Sequence, residues 1–256
     1  MKKDTDTSWE TSASWYDKAV GSKGHYYHQQ VIIPGVLRLL DLKSEKNPSL
    51  LDLACGQGIL ARQLPSKVPY VGIDASKSLI HSAKQSASGK NQQFYVHDLS
   101  HPIDLPKATF TRATCILAVQ NIEDPLPLLL TAYKYLEPNG KLIIVLNHPC
   151  FRIPRQSHWG MDEQKKLQYR RLDLYMSVLK IPIQTAPSQE ERSAQTLSFH
   201  RPLSFYSAAL KGAGFLIDSI EEWCSDKTST GKMASMENRS RKEFPLFLTL
   251  VAQKGL

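Results

Sequence analysis

The sequence predicts an α/β protein built on a doubly wound, mostly parallel sheet. Between residues 49 and 147, short apolar segments of strand length alternate with amphipathic segments of helix length, which is typical of βαβ units. Acidic residues stand where three successive apolar segments end. Because right-handed crossovers bring such ends to one edge of a parallel sheet, the sequence predicts a ligand site along that edge.

The first half of this stretch contains three predicted strands. Residues 49–54 have the composition of a buried strand, and residues 56–64 follow as a helix that Pro65 ends. Residues 70–74 form a second strand, followed by a helix from about 76 to 85. Residues 93–96 are predicted as a third strand.

The second half adds two strands with a helix between them. Residues 113–118 are predicted as the fourth strand and residues 125–136 as a helix. A Pro-Asn-Gly turn at 138–140 leads into a strongly apolar fifth strand at 141–146. Outside this stretch, residues 31–42 have helical apolar spacing, and the charged residues 225–242 are expected to form a mobile loop.

Length and composition favour one α/β domain that carries insertions. The chain has 256 residues, of which 41% are hydrophobic and 22% charged, as in ordinary globular proteins. We expect a single domain over residues 1–256 with four stretches. They are an N-terminal lid (1–48), a ligand-binding half (49–147), a lid insertion (148–198) and a C-terminal helix with a strand hairpin (199–256).

Cysteine content and apolar runs bear on the cellular setting. The four cysteines, Cys55, Cys115, Cys150 and Cys224, lie far apart without a CxxC pair, which favours neither a metal site nor a disulfide framework. No apolar run reaches the roughly 18 residues of a membrane span. Residues 1–20 lack the apolar core of a secretory signal. We therefore expect a cytoplasmic protein without a membrane span.

The acidic residues at the strand ends are chemically suited to a nucleoside. Asp52 is followed by Gly56 and Gly58, which let the backbone turn and approach a ligand because neither carries a Cβ. The helix expected after them would add free N–H groups and a positive dipole end. Asp74 can accept hydrogen bonds from both hydroxyls of a ribose. Asp98 can accept one from an exocyclic amine.

The glycine turn also fits a second cofactor. Residues 56–61 match the dinucleotide pattern GxGxxA, with an acid about 20 residues further on, so an NAD-binding oxidoreductase is an alternative. Asp52 argues against it, because its charge at the mouth of the turn would repel a pyrophosphate and suit a cationic amino-acid group. Asp98 has no fixed role in the dinucleotide pattern.

The segment Leu50–Gly58 resembles the first motif of the Rossmann-like (class I) S-adenosylmethionine-dependent methyltransferases, small-molecule type. Val71–Ser76 resembles their ribose-binding step, Val96–Leu99 their adenine-contacting step and Leu117–Ile122 the stretch beside the methyl donor. The resemblance implies S-adenosyl-L-methionine as cofactor. It assigns cofactor binding to Asp52, Ala54, Cys55, Gly56, Gln57, Gly58, Asp74, Ala75, His97, Asp98, Leu99, Leu117 and Gln120.

The resemblance covers about residues 49–147 and 199–254 and implies a seven-stranded sheet. Leu136–Leu142 is similar to the LxPGG turn before the fifth strand. The family's following helix, sixth strand and seventh strand correspond to residues 203–214, 215–217 and 244–252.

Three positions depart from the family pattern. Ala54 and Asn139 replace glycines, and Thr111 stands where an acid is usual. Asparagine can itself adopt the left-handed backbone conformation. We therefore expect the departures to affect fine cofactor geometry rather than the class of protein.

The acceptor pocket is expected between the N-terminal lid and the insertion after the fifth strand, which usually form the lid in this family. Methyl transfer depends mostly on aligning donor and acceptor, so no catalytic triad is expected. The candidates for acting on the acceptor are His148 at the end of the fifth strand, His28 in the N-terminal lid, and Tyr16. Each has a structural alternative. His148 could be a histidine satisfied by the backbone, His28 a capping and packing residue, and Tyr16 a residue that packs the lid.

The insertion combines cations with aromatic side chains. Its cations are Arg152, Arg155, Lys165, Lys166, Arg170 and Arg171, interleaved with Phe151, Trp159, Tyr169 and Tyr175. This mixture could hold an anionic aromatic metabolite or single-stranded RNA, or it could form an amphipathic lid helix with a solvated basic face.

The charge balance bears on the acceptor. The net charge of +8 arises from 32 Lys and Arg against 24 Asp and Glu, spread along the chain. It leaves a nucleic-acid partner open, and with it an RNA or protein methyltransferase as an alternative. The separate lid favours a small-molecule acceptor. The identity of that acceptor, the methylated atom and the oligomeric state do not follow from the sequence.

Overall fold

The computed structural model describes residues 9–21, 24–106, 109–184 and 195–255, without the side chains at 14, 16, 18 and 19. The helices are α1 (Ala13–Val20), α2 (Ile33–Leu40), α3 (Lys77–Gln85), α4 (Leu126–Tyr135), α5 (Leu203–Gly212) and α6 (Ala234–Glu243). The strands are β1 (Leu50–Leu53), β2 (Tyr70–Asp74), β3 (Gln92–Val96), β4 (Phe110–Ile116), β5 (Leu136–Asn147), β6 (Ser157–Asp162), β7 (Leu167–Leu172), β8 (Leu179–Gln184), β9 (Gln195–His200), β10 (Phe215–Trp223) and β11 (Phe247–Lys254).

Seven strands form one sheet in the order β10-β11-β5-β4-β1-β2-β3. The five strands from β3 to β5 run parallel, and β11 is antiparallel to both β5 and β10. Every residue of β1 and β2 is buried, as expected of central parallel strands covered on both faces. The predicted α/β fold class, a doubly wound and mostly parallel seven-stranded sheet, is confirmed.

Helices cover both faces of the sheet and divide the core into two clusters. One cluster packs α4 and α5 against the sheet through Leu128, Ala132, Tyr206 and Leu210. The other packs α2 and α3 through Val36, Leu40, Ile80 and Ala83. None of the helices in the described ranges is long and apolar enough to cross a membrane.

The helix predicted at 56–64 is wrong. Turns occupy this stretch, followed by a single 3-10 turn at Ala61–Gln63. Gly56 and Gly58 have φ angles of 55° and 73°, and such left-handed residues do not propagate a right-handed helix. A helix dipole after the glycine turn therefore cannot contribute to binding.

The turn predicted at 138–140 lies inside β5. Between the register pairs Phe110–Leu136 and Arg112–Lys141, β5 contains more residues than β4. These extra residues form the predicted turn. Asn139 has a φ of 62°, so asparagine adopts the left-handed conformation in place of glycine. Ala54, the other glycine replacement, has a φ of 59°.

The amphipathic lid helix weighed for the insertion is wrong. The insertion forms two antiparallel hairpins, β6–β7 and β8–β9. Gly160 lies opposite Tyr169 in the first hairpin, and a Cβ on Gly160 would lie 2.4 Å from the tyrosine ring. This cross-strand contact favours a hairpin because the glycine provides space for the ring.

The mobile loop expected at 225–242 is also wrong, because it contains most of α6. Asn238 on this helix accepts a hydrogen bond from the Ser229 N–H at 2.7 Å and donates one to the Ser229 carbonyl at 3.1 Å. These contacts hold the preceding loop against the helix.

Arg112 on β4 connects the sheet to α2. Its side chain is buried, its Nε donates to the Leu40 carbonyl at 2.8 Å, and its Nη2 lies 2.5 Å from a Glu45 carboxylate oxygen. The adjacent Thr111, where the family usually has an acid, forms reciprocal hydrogen bonds with Ser49. Both residues therefore have structural partners at the amino-terminal end of β4.

Candidate functional site

A cleft of about 480 Å³ lies at the carboxyl edge of the parallel strands, a volume typical of small-molecule sites. Its walls come from the segments that follow β1, β2, β3 and β4. Nine of the thirteen residues assigned to cofactor binding line it, namely Ala54, Gly56, Asp74, Ala75, His97, Asp98, Leu99, Leu117 and Gln120.

Asp74 organises the centre of this cleft. One carboxylate oxygen accepts the Gly56 N–H and the other accepts the Ser76 N–H, both at 2.9 Å. The glycine turn and the start of α3 are thereby joined through one side chain. Burial raises the pKa of Asp74 to about 6, with a smaller contribution from Glu10, although both N–H donors favour the ionised form.

Asp52 does not line the cleft. Its side chain is buried within the sheet, where its carboxylate oxygens accept hydrogen bonds from the Tyr70 and Thr114 hydroxyls, each at 2.7 Å. Burial raises the pKa of Asp52 to about 6. This placement argues against the predicted contact between Asp52 and the amino-acid part of the cofactor.

Three other residues of the glycine turn also face away from the cleft. The sulfur of Cys55 packs beside Gly72, and burial raises the pKa of this thiol well above its usual value. Gln57 donates to the Gly21 carbonyl at 3.4 Å, and Gly58 packs closely against Phe94. These residues support the turn, while Ala54 and Gly56 provide the surface that a ligand can contact.

The segment after β3 forms one wall of the cleft. Asp98 is exposed, and one of its oxygens accepts the Ser100 N–H at 2.9 Å. The His97 ring bonds the His101 carbonyl at 3.1 Å, while Leu99 is buried beside the cleft. The predicted combination of a carboxylate, an imidazole and an apolar side chain is therefore brought together.

The segment after β4 contributes a polar atom without a partner. Gln120 donates from its Nε2 to the Leu117 carbonyl at 2.8 Å, but its buried Oε1 has no hydrogen-bond partner. Leu117 has a φ of 54°, which is a strained backbone conformation for leucine. A ligand with a hydrogen-bond donor would satisfy Gln120 in this wall.

An N-terminal segment covers the cleft beside α3. Trp9 lines the cleft, and the neighbouring Glu10 accepts hydrogen bonds from the hydroxyls of Ser76 and Ser78, each at 2.6 Å. These bonds lower the pKa of Glu10. This contact could not be predicted from local sequence patterns, because it joins residues that are 66 and 68 positions apart.

His28 is the predicted catalytic residue that the structure places in the cleft. Its Nδ1 is buried and has no hydrogen-bond partner. Burial, with a smaller effect from His25, lowers the pKa of His28 to about 4. The ring is therefore neutral at physiological pH. Tyr16 lies in α1, but its side chain falls outside the described residues.

His148 does not line the cleft. Its Nδ1 accepts the Cys150 N–H at 3.2 Å, and its Nε2 lies 2.6 Å from a Glu222 oxygen. The side chain is 3% exposed, and burial lowers its pKa despite Glu222. Because both ring nitrogens have partners, this geometry supports the structural alternative for His148 over a catalytic role.

Several residues that line the cleft on the side of β5 and the insertion were not predicted. The strand end that precedes His148 contributes Asn147, and the insertion contributes Pro154, Ile183 and Ser198. Only Asn147 had a sequence signal, its position at the carboxyl end of β5. The hairpins that bring the other three to the cleft are not apparent from their periodicity.

None of the six basic residues singled out in the insertion is among the described residues that line the cleft. Arg170 instead donates to the Phe151 carbonyl at 2.8 Å and lies over the Trp159 ring at 5.0 Å. Arg152 lies over the Phe247 ring at 5.5 Å. The Arg170–Trp159 contact joins the two strands of the first hairpin, whereas Arg152 contacts a side chain of β11. An anionic acceptor held by these cations is therefore not supported.

Comparison with known families identifies the class of protein. A profile described as a methyltransferase domain matches residues 24–219, which include the cleft-lining segments after β1 to β5. The chain belongs to this methyltransferase family. It is an S-adenosylmethionine-dependent methyltransferase of the class I fold, which decides against the NAD-binding alternative.

Curated relatives of the methyltransferase include enzymes of quinone biosynthesis. It is 31% identical over 102 residues to the mitochondrial ubiquinone biosynthesis O-methyltransferase of Schizosaccharomyces pombe, covering 37% of this chain and 36% of that protein. It is 30% identical over 112 residues to the demethylmenaquinone methyltransferase of Thermotoga maritima, covering 42% and 48%. The aligned segments thus span a third to a half of these relatives.

Solved structures share the same fold. An S-adenosylmethionine-dependent methyltransferase from Mesorhizobium loti superposes with a TM-score of 0.64 at 22% sequence identity. The match covers 85% of this chain and 96% of that one. At this identity the likeness concerns the fold alone.

Proposed function

We propose that this methyltransferase acts on an uncharged small molecule bound at the acceptor end of the cleft, with residues 1–256 acting as one domain. The observation that carries the proposal is the composition of the cleft wall. Beyond the acids assigned to the nucleoside, the described lining is apolar or neutral and includes Asn147, Ile183 and Ser198. No Lys or Arg is found among the described residues that line the cleft, so none of these side chains would offset the charge of a carboxylate or phosphate acceptor.

The cofactor residues fit S-adenosylmethionine as follows. Asp74 would accept hydrogen bonds from the ribose hydroxyls, and Asp98 with His97 and Leu99 would surround the adenine. The backbone at Ala54 and Gly56 would contact the methionine part. The unpartnered Oε1 of Gln120 would accept a hydrogen bond from a donor group of the ligand.

The chemistry requires little beyond alignment. The bound sulfonium supplies an activated methyl group, and the cleft has to orient the acceptor and exclude water. Trp9 and its neighbour Glu10, bonded to Ser76 and Ser78, form a cover suited to that exclusion.

His28 is the residue proposed to act on the acceptor. A neutral imidazole with an unpartnered nitrogen can accept a proton from a hydroxyl or an acidic C–H. The low pKa of His28 keeps the ring available as a base, while it also limits its strength. The proposal therefore favours an acceptor whose proton is itself acidic, such as a phenol or an enol.

The names of the curated relatives support this reading. Both are enzymes of quinone biosynthesis or methylation by name, and quinol rings carry acidic hydroxyl groups without a permanent charge. The short aligned segments leave the acceptor itself a proposal.

Donor binding is tested first, by calorimetric titration with S-adenosylhomocysteine. Asp74→Asn should weaken binding at least tenfold, since a hydrogen bond to a charged group contributes about 1.5–3 kcal/mol. Asp218→Asn, which alters an exposed partner of Lys141 far from the cleft, is the matched control and should bind normally.

Acceptor class is then tested with labelled donor and three sets of acceptors: neutral phenols and quinols, carboxylated aromatics, and RNA or peptides. Transfer to the neutral set is expected. Transfer confined to RNA or peptides would support the alternative of a macromolecular methyltransferase and refute the proposal. With an active acceptor, His28→Gln should lower kcat about 100-fold or more and leave the affinity for S-adenosylhomocysteine unchanged.

A further inference from the structure

The connection between β7 and β8 presents an unusual group of exposed apolar side chains. Leu174, Met176 and Val178 are 46%, 71% and 67% exposed. Leu172, immediately before them at the end of β7, is 38% exposed. We call residues 172–178 the apolar loop. Clustered exposure of this kind marks an interaction surface more often than isolated exposed residues do.

The apolar loop is held in position by its polar atoms. The Tyr175 hydroxyl accepts the Leu203 N–H at 3.1 Å, and the Tyr175 carbonyl accepts a hydrogen bond from His200 at 2.8 Å. The Ser177 N–H closes a turn onto the Leu174 carbonyl at 3.1 Å. Tyr175 thus anchors the loop to the start of α5, while the residues on either side of it project into solvent.

The insertion that carries the apolar loop is positively charged. Residues 148–184 contain seven Lys and Arg against three Asp and Glu, which supplies half of the net charge of +8. Arg171 is exposed directly before the loop. Arg155 is also exposed. It lies beside the loop, because the carbonyl of the neighbouring Gln156 accepts the Asp173 N–H at 2.9 Å. Asp173 is the loop's one acid.

The apolar loop also belongs to the lid of the cleft. It leads directly into β8, whose Ile183 lines the cleft. A surface that binds the loop would therefore lie close to one wall of the acceptor end.

We propose that the apolar loop docks this protein reversibly on an anionic membrane surface. Apolar side chains at a loop tip can enter the boundary between lipid headgroups and acyl chains, while flanking arginines interact with anionic headgroups. The arrangement of apolar tip and basic flanks matches both parts of that surface. A second copy of the chain is a poorer partner, because a symmetric contact through this loop would bring Arg155 and Arg171 of both copies together.

Vesicle co-sedimentation tests the proposal on the whole chain. The probes are vesicles of phosphatidylcholine alone and vesicles with phosphatidylglycerol added. Binding to the anionic vesicles is expected, with a marked decrease in 0.5 M salt because screening is strong at that ionic strength, where the Debye length is only about 4 Å. Met176→Ser/Val178→Ser should lower the partition coefficient at least tenfold, since two apolar side chains lose their burial.

Two controls separate the apolar loop from general effects. Leu216→Ser/Ile220→Ser removes two apolar side chains that are 69% and 48% exposed on β10 and should leave vesicle binding unchanged. Arg155→Gln/Arg171→Gln should weaken binding to anionic vesicles and leave any residual binding to neutral ones unchanged. Thermal unfolding of each variant verifies that it is folded.

Three results would overturn the proposal. They are no binding of the wild type to anionic vesicles, equal loss of binding in the loop and β10 variants, or dimerisation that the loop variant abolishes without vesicle binding. Because vesicle binding is measured without donor or acceptor, its outcome is independent of the proposed function of the cleft.

Discussion

Acidification should weaken donor binding if Asp74 binds the ribose as proposed, because only its ionised carboxylate can accept hydrogen bonds from both ribose hydroxyls. Burial raises the pKa of Asp74 to about 6, so the fraction in the ionised form falls as the pH falls through that value. If the ionised form alone binds, the apparent Kd increases by a factor of about 11 at pH 5 relative to pH 8. This corresponds to about 1.4 kcal/mol of binding free energy.

Calorimetric titration with S-adenosylhomocysteine between pH 5 and 8 measures this dependence. Asp74→Asn should bind weakly with little change over the range. Asp52→Asn is the matched control, because Asp52 also has a pKa of about 6 but lies away from the cleft. His28 stays neutral throughout, since its pKa is about 4. A wild-type Kd that does not change over this range, or a pH dependence of Kd that persists unchanged in Asp74→Asn, would refute the reasoning.

Three further predictions concern stability. The raised folded-state pKa of Asp52 stabilises the fold below pH 4 by roughly 3 kcal/mol, and this contribution is lost as the pH rises through about 6. The free energy of unfolding of Asp52→Asn, measured in urea, should therefore depend less on pH between 4 and 7 than that of the wild type. Arg112→Met should lower the free energy of unfolding by about 2–4 kcal/mol, whereas Arg38→Met, at an exposed ion pair with Glu221, should lower it by less than about 1 kcal/mol. Equal losses of the two variants in urea unfolding would contradict the role of Arg112. Ala54→Gly should raise the free energy of unfolding by about 0.5–1 kcal/mol, because relief of the left-handed backbone strain exceeds the added entropy of the unfolded chain. A lower melting temperature of this variant would show that the strain is absent.

The central strands and the side of the cleft lined by Asp74 and Asp98 could be predicted from the sequence for a physical reason. Strands such as β1 and β2 are buried on both faces, so their residues must be apolar over a short run that is easily recognised. The acids that follow β2 and β3 then fall at the same edge by topology alone. Asp74 and Asp98 could therefore be placed before any coordinates were known.

The orientation of individual side chains was less accessible. Asp52 lies inside β1 rather than after it, and its side chain bonds Tyr70 and Thr114 on the neighbouring strands. His148 likewise bonds Glu222, which lies 74 residues away from it in the chain. Contacts at such separation leave no trace in local periodicity.

The insertion was the least predictable part. The two strands of the first hairpin, β6 and β7, have no buried residue, so burial does not impose a clear alternation of polar and apolar residues on them. The decisive contact, Tyr169 across Gly160, is specific to this pair of strands.

The position of β11 has a consequence for how the chain acquires its structure during synthesis. This strand is the last of the sheet to be translated, yet it fills the place between β5 and β10. Until it is available, β5 presents an apolar, unpaired edge, and β10 has no neighbour in the sheet with which to pair. A nascent chain of this methyltransferase therefore carries an aggregation-prone edge late into translation, and chaperone contact at that stage should concentrate on β5.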